Sequence, residues 1–232
     1  MVYAISFCPL SKHKQFKEHG FDDSKKLTEE KRTELAKMIQ KNKDWIGWAV
    51  YVLSPQDISA NMFKRPVYNL NEMAHDATIK LIQHVVGLGI DIQTIYVDPV
   101  GPSNTYRKKL ESYFPNVEII VEPKADALYP IVSAASICAK VTRDQYMQHW
   151  QWTEPGLIDL SKKFGSGYPS DPATKEWLKT NQDAFFGFPS ITRFSWSTII
   201  KLMEVREPFP MSCLLKYEHA ALRWLRKSTS KP

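Results

Sequence analysis

The stretch TIYVDPVG, residues 94–101, constrains the fold more than any other. It is a short apolar run that ends on Asp98 and is cut off at once by Pro99. It follows the segment from Tyr68 to Gly89, in which Met73, Ala77, Leu81 and Val85 recur every four residues before glycines stop the pattern. That spacing predicts an amphipathic helix with a C-terminal cap, feeding a buried strand whose carboxyl end carries a carboxylate. Beyond Pro99, SNTYRKKLESYF reads as a helix capped by Ser103, and NVEIIVEP as an alternating strand that ends before Pro123. Strand, helix, strand implies a parallel pair.

The flanks extend the same alternation. VYAISFC and WIGWAVYVLS are rich in β-branched and aromatic residues and read as strands, with the basic helical stretch TEEKRTELAKMIQKN between them. YPIVSAASICAKVTRDQYMQHWQW predicts a long helix opened by Pro130, and PATKEWLKTN a short one with Asp171 at the N-cap and Pro172 in the first turn. The class is α/β. No repeat or linker precedes about residue 201, where EVREPFPMSC suggests a hinge into a small C-terminal helix, LLKYEHAALRWLRK.

With 232 residues the chain can bury one main core, since single cores grow to roughly 250 residues. No apolar stretch approaches the roughly 20 residues that span a bilayer, and MVYAISFCPLSKHK has no basic segment ahead of its apolar run, so neither a membrane span nor a secretory signal is expected. Cys8, Cys138 and Cys213 lie far apart without zinc-type spacing, which fits a reducing compartment. The net charge of +6 favours polyanionic partners, because clustered Lys and Arg gain affinity by releasing phosphate counterions.

In open α/β sheets ligand sites gather beyond the carboxyl ends of parallel strands, where Asp98 would lie; the alternative is that Asp98 only caps the following turn. Asp144 follows Ile137 by seven and Val141 by three, so it shares their apolar stripe, expected to face the sheet. A carboxylate there requires compensation, either by a metal shared with Asp98 or by a salt bridge to Lys140 or Arg143. FGSGYPSDP presents Tyr168 in a glycine-flanked loop, either to meet a sugar or base or to pack under its own loop. DDSKKLTEEKR sets Ser24, Lys25 and Lys26 ahead of the N-cap Thr28, a grouping suited to phosphate or simply a solvated charge run.

Taken in order, DSKKLTEEKR, YVDPVG, KADALYPIVSAASICAKVTRD and GSGYPSDP resemble the type 2 ribonuclease H family, most closely the eukaryotic catalytic subunit. The resemblance runs from the first residue through GFPSITRFSW to about Ile200. It implies a ribonuclease H-like mixed sheet flanked by helices over residues 1–200, with residues 201–232 as a C-terminal helical extension. It further implies cleavage of the RNA strand of RNA/DNA hybrids, and incision at single ribonucleotides in duplex DNA, by two-metal phosphodiester hydrolysis. The ion would be Mg2+, with Mn2+ as substitute, held by four carboxylates of which Asp98 and Asp144 match two. Tyr168 would sense a 2'-hydroxyl, while Ser24, Lys25 and Lys124 would grip phosphates, and Asp126 would play a catalytic or an orienting part. Accessory subunits and a nuclear or otherwise intracellular location, not secretion, are also implied.

One departure stands out. The family begins with a strand bearing an Asp-Glu pair followed by Gly-Arg-Gly, and this sequence starts just after that point. The expectation is a sheet lacking its first, central strand, with the strands near Tyr3 and Val50 on one side of the break and those near Tyr96 and Ile119 on the other. Two readings follow: a nuclease catalytic subunit shown without that strand, or a shortened, inert chain that at most binds nucleic acid or accessory subunits.

Overall fold

Among the described residues, four strands form two separate pairs. β1 (Val2–Phe7) and β2 (Gly47–Val52) run antiparallel, with Val2 opposite Val52 and Phe7 opposite Gly47. β3 (Thr94–Val97) and β4 (Glu118–Val121) run parallel, with Thr94 opposite Glu118 and Val97 opposite Val121. A computed structural model describes residues 1–21, 27–152, 160–168, 170–183 and 187–204. Among the described residues the two pairs share no ladder, so the sheet is divided as the sequence predicts, Tyr3 and Val50 in one half, Tyr96 and Ile119 in the other. Contacts divide the chain into two units, Met1–Gln151 and Trp152–Pro232.

In the first unit the helices are α1 (His13–Glu18), α2 (Glu29–Lys41), α3 (Pro55–Met62), α4 (Leu70–Gly87), α5 (Ser103–Tyr113), α6 (Ala125–Leu128) and α7 (Pro130–Gln148). α4 starts at a capping box in which Asn69 accepts from the Glu72 amide and Glu72 from the Asn69 amide, satisfying two donors that the helix leaves open. Its stripe of Met73, Ala77, Leu81 and Val85 is buried throughout. Met73 packs with Tyr3 and Tyr51 of the first strand pair and with Leu53 and Ile58 beside it, whereas Ile79 and Ile82 pack with Ile95, Val97, Leu110 and Ile119 around the second. α7 lays Ala134, Ile137 and Cys138 against Ala4, Val50 and α2, and also touches β3. Two helices therefore bridge both half-sheets, and each Met, Leu, Ile or Val side chain they bury fully contributes roughly 1.5–3 kcal/mol.

Two local expectations change, and three short helices escape the sequence pattern. Ser103 is the first residue of α5 and makes no capping hydrogen bond; Pro102 takes the N-cap position, because its ring already sets the backbone angle that a helix entry needs. α7 ends at Gln148, short of the Gln151–Trp152 pair. α1, α3 and α6 are too brief to give a periodic signal, although Ser54 caps α3 onto the Asp57 amide and Pro55 opens it.

The second unit contains α8 (Pro172–Thr180) and α9 (Ser197–Glu204). Trp177, Leu178, Phe188 and Ile199 form its core, with Trp152 stacked on Trp177. Asp171 and Pro172 take the positions that the sequence predicts for them. The helix expected in LLKYEHAALRWLRK lies outside the described residues.

Candidate active site

Asp98 stands at the tip of β3, exposed, immediately after buried Val97. Pairing continues one residue past the strands, the Glu122 amide donating to the Val97 carbonyl at 3.0 Å, and this sets the next residues of both strands side by side. There the backbone N–H of Lys124 donates to Asp98 Oδ1 at 2.9 Å. Lys124 reaches that position only by adopting a left-handed backbone, φ 60 and ψ 34, at the start of α6. An L-residue other than glycine or asparagine enters that region rarely, so the amide is placed at a local cost. Tyr129 steadies the same loop, donating to Glu122 Oε2 at 2.6 Å while its ring lies 4.4 Å from that of Tyr96. The structure thus joins two expected site residues, Asp98 and Lys124. Asp126 lies buried one residue beyond Ala125.

The far side of the Asp98 turn rests on α4. The imidazole Nε2 of His75 lies 2.9 Å from the Val100 carbonyl, and Gly101, at φ 79, passes so close to Asn71 that a β-carbon would sit 3.1 Å from its side-chain nitrogen. Neither residue is visible as a site candidate in the sequence. The one available signal is a histidine beside the apolar stripe of the helix preceding the Asp98 strand.

Asp144 is half-buried on α7 and engaged by guanidinium groups. Oδ1 accepts from Arg143 at 2.9 Å, and Oδ2 lies 4.0 Å from Arg32 of α2, which also donates to the Leu27 carbonyl at 2.7 Å. The stripe of Ile137 and Val141 does pack toward β1 and β2, but Asp144 at its end looks toward α2. The ion pair to Arg143 that the sequence allows is present.

Among the described residues no three His, Cys, Asp or Glu side chains come together to hold a metal ion. Asp98 accepts from an amide and Asp144 pairs with arginines. Ser24 and Lys25 lie outside the described residues.

Tyr168 belongs to the second unit and is 69% exposed, so it does not pack under its own loop. The loop is fastened to the start of α8 instead. Asp171 Oδ2 accepts from the Ser166 amide at 2.6 Å and its hydroxyl at 2.7 Å, and Asp171 Oδ1 accepts from the Ala173 amide at 2.9 Å. The Thr174 hydroxyl accepts from the Gly167 amide and donates to the Phe164 carbonyl. The Ser166 amide, foremost among these donors, draws the Asp171 carboxyl down to about 2. Gly165 is obligatory, with φ 65 and a would-be β-carbon 2.5 Å from Asp171 Oδ2. The result is a braced loop with one aromatic hydroxyl turned outward.

The chain is similar to proteins that are known. The family model described as Ribonuclease HII matches residues 1–199. A ribonuclease H2 subunit of Homo sapiens is 48% identical over 205 residues, covering 88% of this chain and 68% of that protein. Among solved structures, a chain of the PCNA:RNase HII complex from Archaeoglobus fulgidus is 31% identical with a TM-score of 0.69, covering 90% of each chain. The ribonuclease H2 from Pyrococcus horikoshii OT3 is 30% identical with a TM-score of 0.65, covering 88% of this chain and 98% of that one. The divided sheet with its flanking helices is a ribonuclease H-like α/β fold, and by the family match and these identities the chain belongs to the ribonuclease HII family.

Proposed function

We propose that the chain is the catalytic part of an endoribonuclease that cuts the RNA strand of RNA/DNA hybrids and incises at single ribonucleotides in duplex DNA. The observation that carries this reading is the placement of Asp98. Within a family of ribonucleases, its carboxylate projects from a strand tip, one oxygen fixed by the Lys124 amide and the other receiving no hydrogen bond from the described residues. A rigid strand end is where a ligand or reacting group is held most accurately.

Asp98 and Asp144 are the carboxylates that this chain contributes to the reaction, and a strand carrying the Asp-Glu pair, added between the two half-sheets, supplies the others. Such a strand would also satisfy ladder groups that the divided sheet leaves open. Magnesium, or manganese in its place, is the ion that this completed set of carboxylates would take. The chain's own residues bind and orient: Lys124, exposed beside Asp98, meets a phosphate, with Ser24 and Lys25 in the same role, and Tyr168 offers its hydroxyl to a ribose 2'-hydroxyl, the group that tells RNA from DNA. The human relative is named as one subunit of its enzyme, and accessory subunits belong to this reading. So does a nuclear or otherwise intracellular location, and free Cys8 and Cys138 fit a reducing compartment.

A second reading is favoured by the arginine pairing of Asp144: a catalytically inert chain that at most binds nucleic acid or accessory subunits. The two separate experimentally. The chain is assayed on a labelled RNA/DNA hybrid with magnesium, with and without the Asp-Glu/Gly-Arg-Gly strand joined ahead of Val2, together with Asp98→Asn. Cutting that appears with the strand and disappears with Asp98→Asn supports the nuclease. Binding without cutting in either form supports the second reading.

A further inference from the structure

The turn Asp98–Pro99–Val100–Gly101 is anchored at both ends, and only one anchor is close to the carboxylate. Lys124 N–H holds Asp98 itself. The other anchor is His75, two turns into α4 and 8% exposed, with Nε2 2.9 Å from the Val100 carbonyl. Because a carbonyl only accepts, Nε2 carries the proton in this contact. The ring cannot turn away, since it lies flat on Tyr106 with centroids 3.8 Å apart and planes 11° from parallel. Tyr106 is itself 1% exposed on α5, the helix that leaves the turn, so His75 is clamped between the turn's carbonyl and the helix that follows it. Asn71, one helical turn before His75, backs Gly101 from the same face.

We propose that His75 is a positioning residue: by donating from Nε2 to the Val100 carbonyl it fixes the turn and so the direction of the Asp98 carboxylate. The role rests on reading Asp98 as a reacting group, and it is separate from substrate contact, since His75 is buried. Stacking on Tyr106 needs only the ring, whereas the hydrogen bond that His75 makes among the described residues goes to the turn. A displacement of about 1 Å at a reacting group can cost roughly a hundredfold in rate, so a small loosening of the turn is visible.

The test uses the full chain and two substitutions. His75→Gln keeps a donor near the position of Nε2; His75→Leu keeps bulk and removes the donor. Hydrogen exchange at the Lys124 amide, followed by NMR, reports the Asp98 contact directly, with the Glu122 amide, which bonds the Val97 carbonyl, as internal control. In His75→Leu, exchange at Lys124 is expected to rise about tenfold while Glu122 stays unchanged, and His75→Gln is expected to restore protection. In the form carrying the Asp-Glu strand, His75→Leu lowers kcat on hybrid about tenfold with KM unchanged, and adds nothing in an Asp98→Asn background. Unchanged Lys124 exchange in His75→Leu, or an equal rise at Lys124 and Glu122, overturns the positioning role. Full cleavage by Asp98→Asn overturns the reading of Asp98 beneath it, and the positioning role with it, whatever the exchange shows.

Discussion

The backbone amide of Lys124 donates to the carboxylate of Asp98 at 2.9 Å, joining residues 26 apart in sequence at the paired ends of β3 and β4. Lys124 makes this bond from a left-handed backbone that disfavours its own side chain, by about 1–2 kcal/mol. Lys124→Gly therefore removes the ammonium while relieving the backbone. The melting temperature should hold or rise, yet hybrid affinity should fall, and the slope of log K against log salt should shrink by about 0.9 if the ammonium meets one phosphate. Thermal melts and a salt titration of binding check both halves; a lowered melt with an unchanged salt slope would assign Lys124 to structure alone.

Asp98 and Asp144 should part company in stability. Asp98→Asn keeps an oxygen that can accept from Lys124, so its melt should match the unsubstituted chain. Asp144→Asn leaves Arg143 and Arg32 without their carboxylate at a half-buried site and should cost about 1–2 kcal/mol, discounted from the larger penalty of a fully buried pair. Both should nearly abolish hybrid cleavage in the strand-carrying form. Chemical denaturation and a cleavage assay on the same preparations read the two effects apart.

Tyr168→Phe should damage incision at a lone ribonucleotide more than cutting of a long hybrid. The exposed hydroxyl has one 2'-hydroxyl to meet in the first substrate and alternatives in the second, so a loss of about 0.5–1.5 kcal/mol should show mainly on the single site. Equal losses on both substrates would remove Tyr168 from junction reading.

The loop that presents Tyr168 should resist acid. Hydrogen bonds from Ser166 above all hold the folded Asp171 carboxyl at about 2, below its ordinary value of 3.8. A depressed folded value means that the stabilisation is present in full above the unfolded value and is lost as pH falls through the folded one. The Ser166 amide resonance should therefore titrate with a midpoint near 2. A midpoint at the ordinary carboxylate value would mean that the Asp171 contacts do not persist in solution.

Much of this was legible in the sequence because it is periodic or punctuated. Met73, Ala77, Leu81 and Val85 mark a helix face, and Asp171–Pro172 and Pro130 mark helix starts. The division of the sheet followed from the family pattern at the first strand, and the strand pairs formed accordingly. Contacts that depend on chain pairs far apart were hidden. Nothing near Asp144 in the sequence announces Arg32, on a different helix and far earlier in the chain, and nothing near Val100 announces His75. Ser103 failed as a cap because Pro102 already fills that place, a competition that spacing alone does not resolve.

Hybrid cleavage tests the central claim most directly. Residues 1–232 and the same chain with the Asp-Glu/Gly-Arg-Gly strand joined ahead of Val2 are assayed side by side on an RNA/DNA hybrid with magnesium, each with a thermal melt. The strand-carrying form should cut, lose cutting with Asp98→Asn, and melt at a higher temperature than residues 1–232, which should not cut. Equal turnover by residues 1–232 alone, or no cutting by a strand-carrying form that melts cooperatively, would contradict that claim.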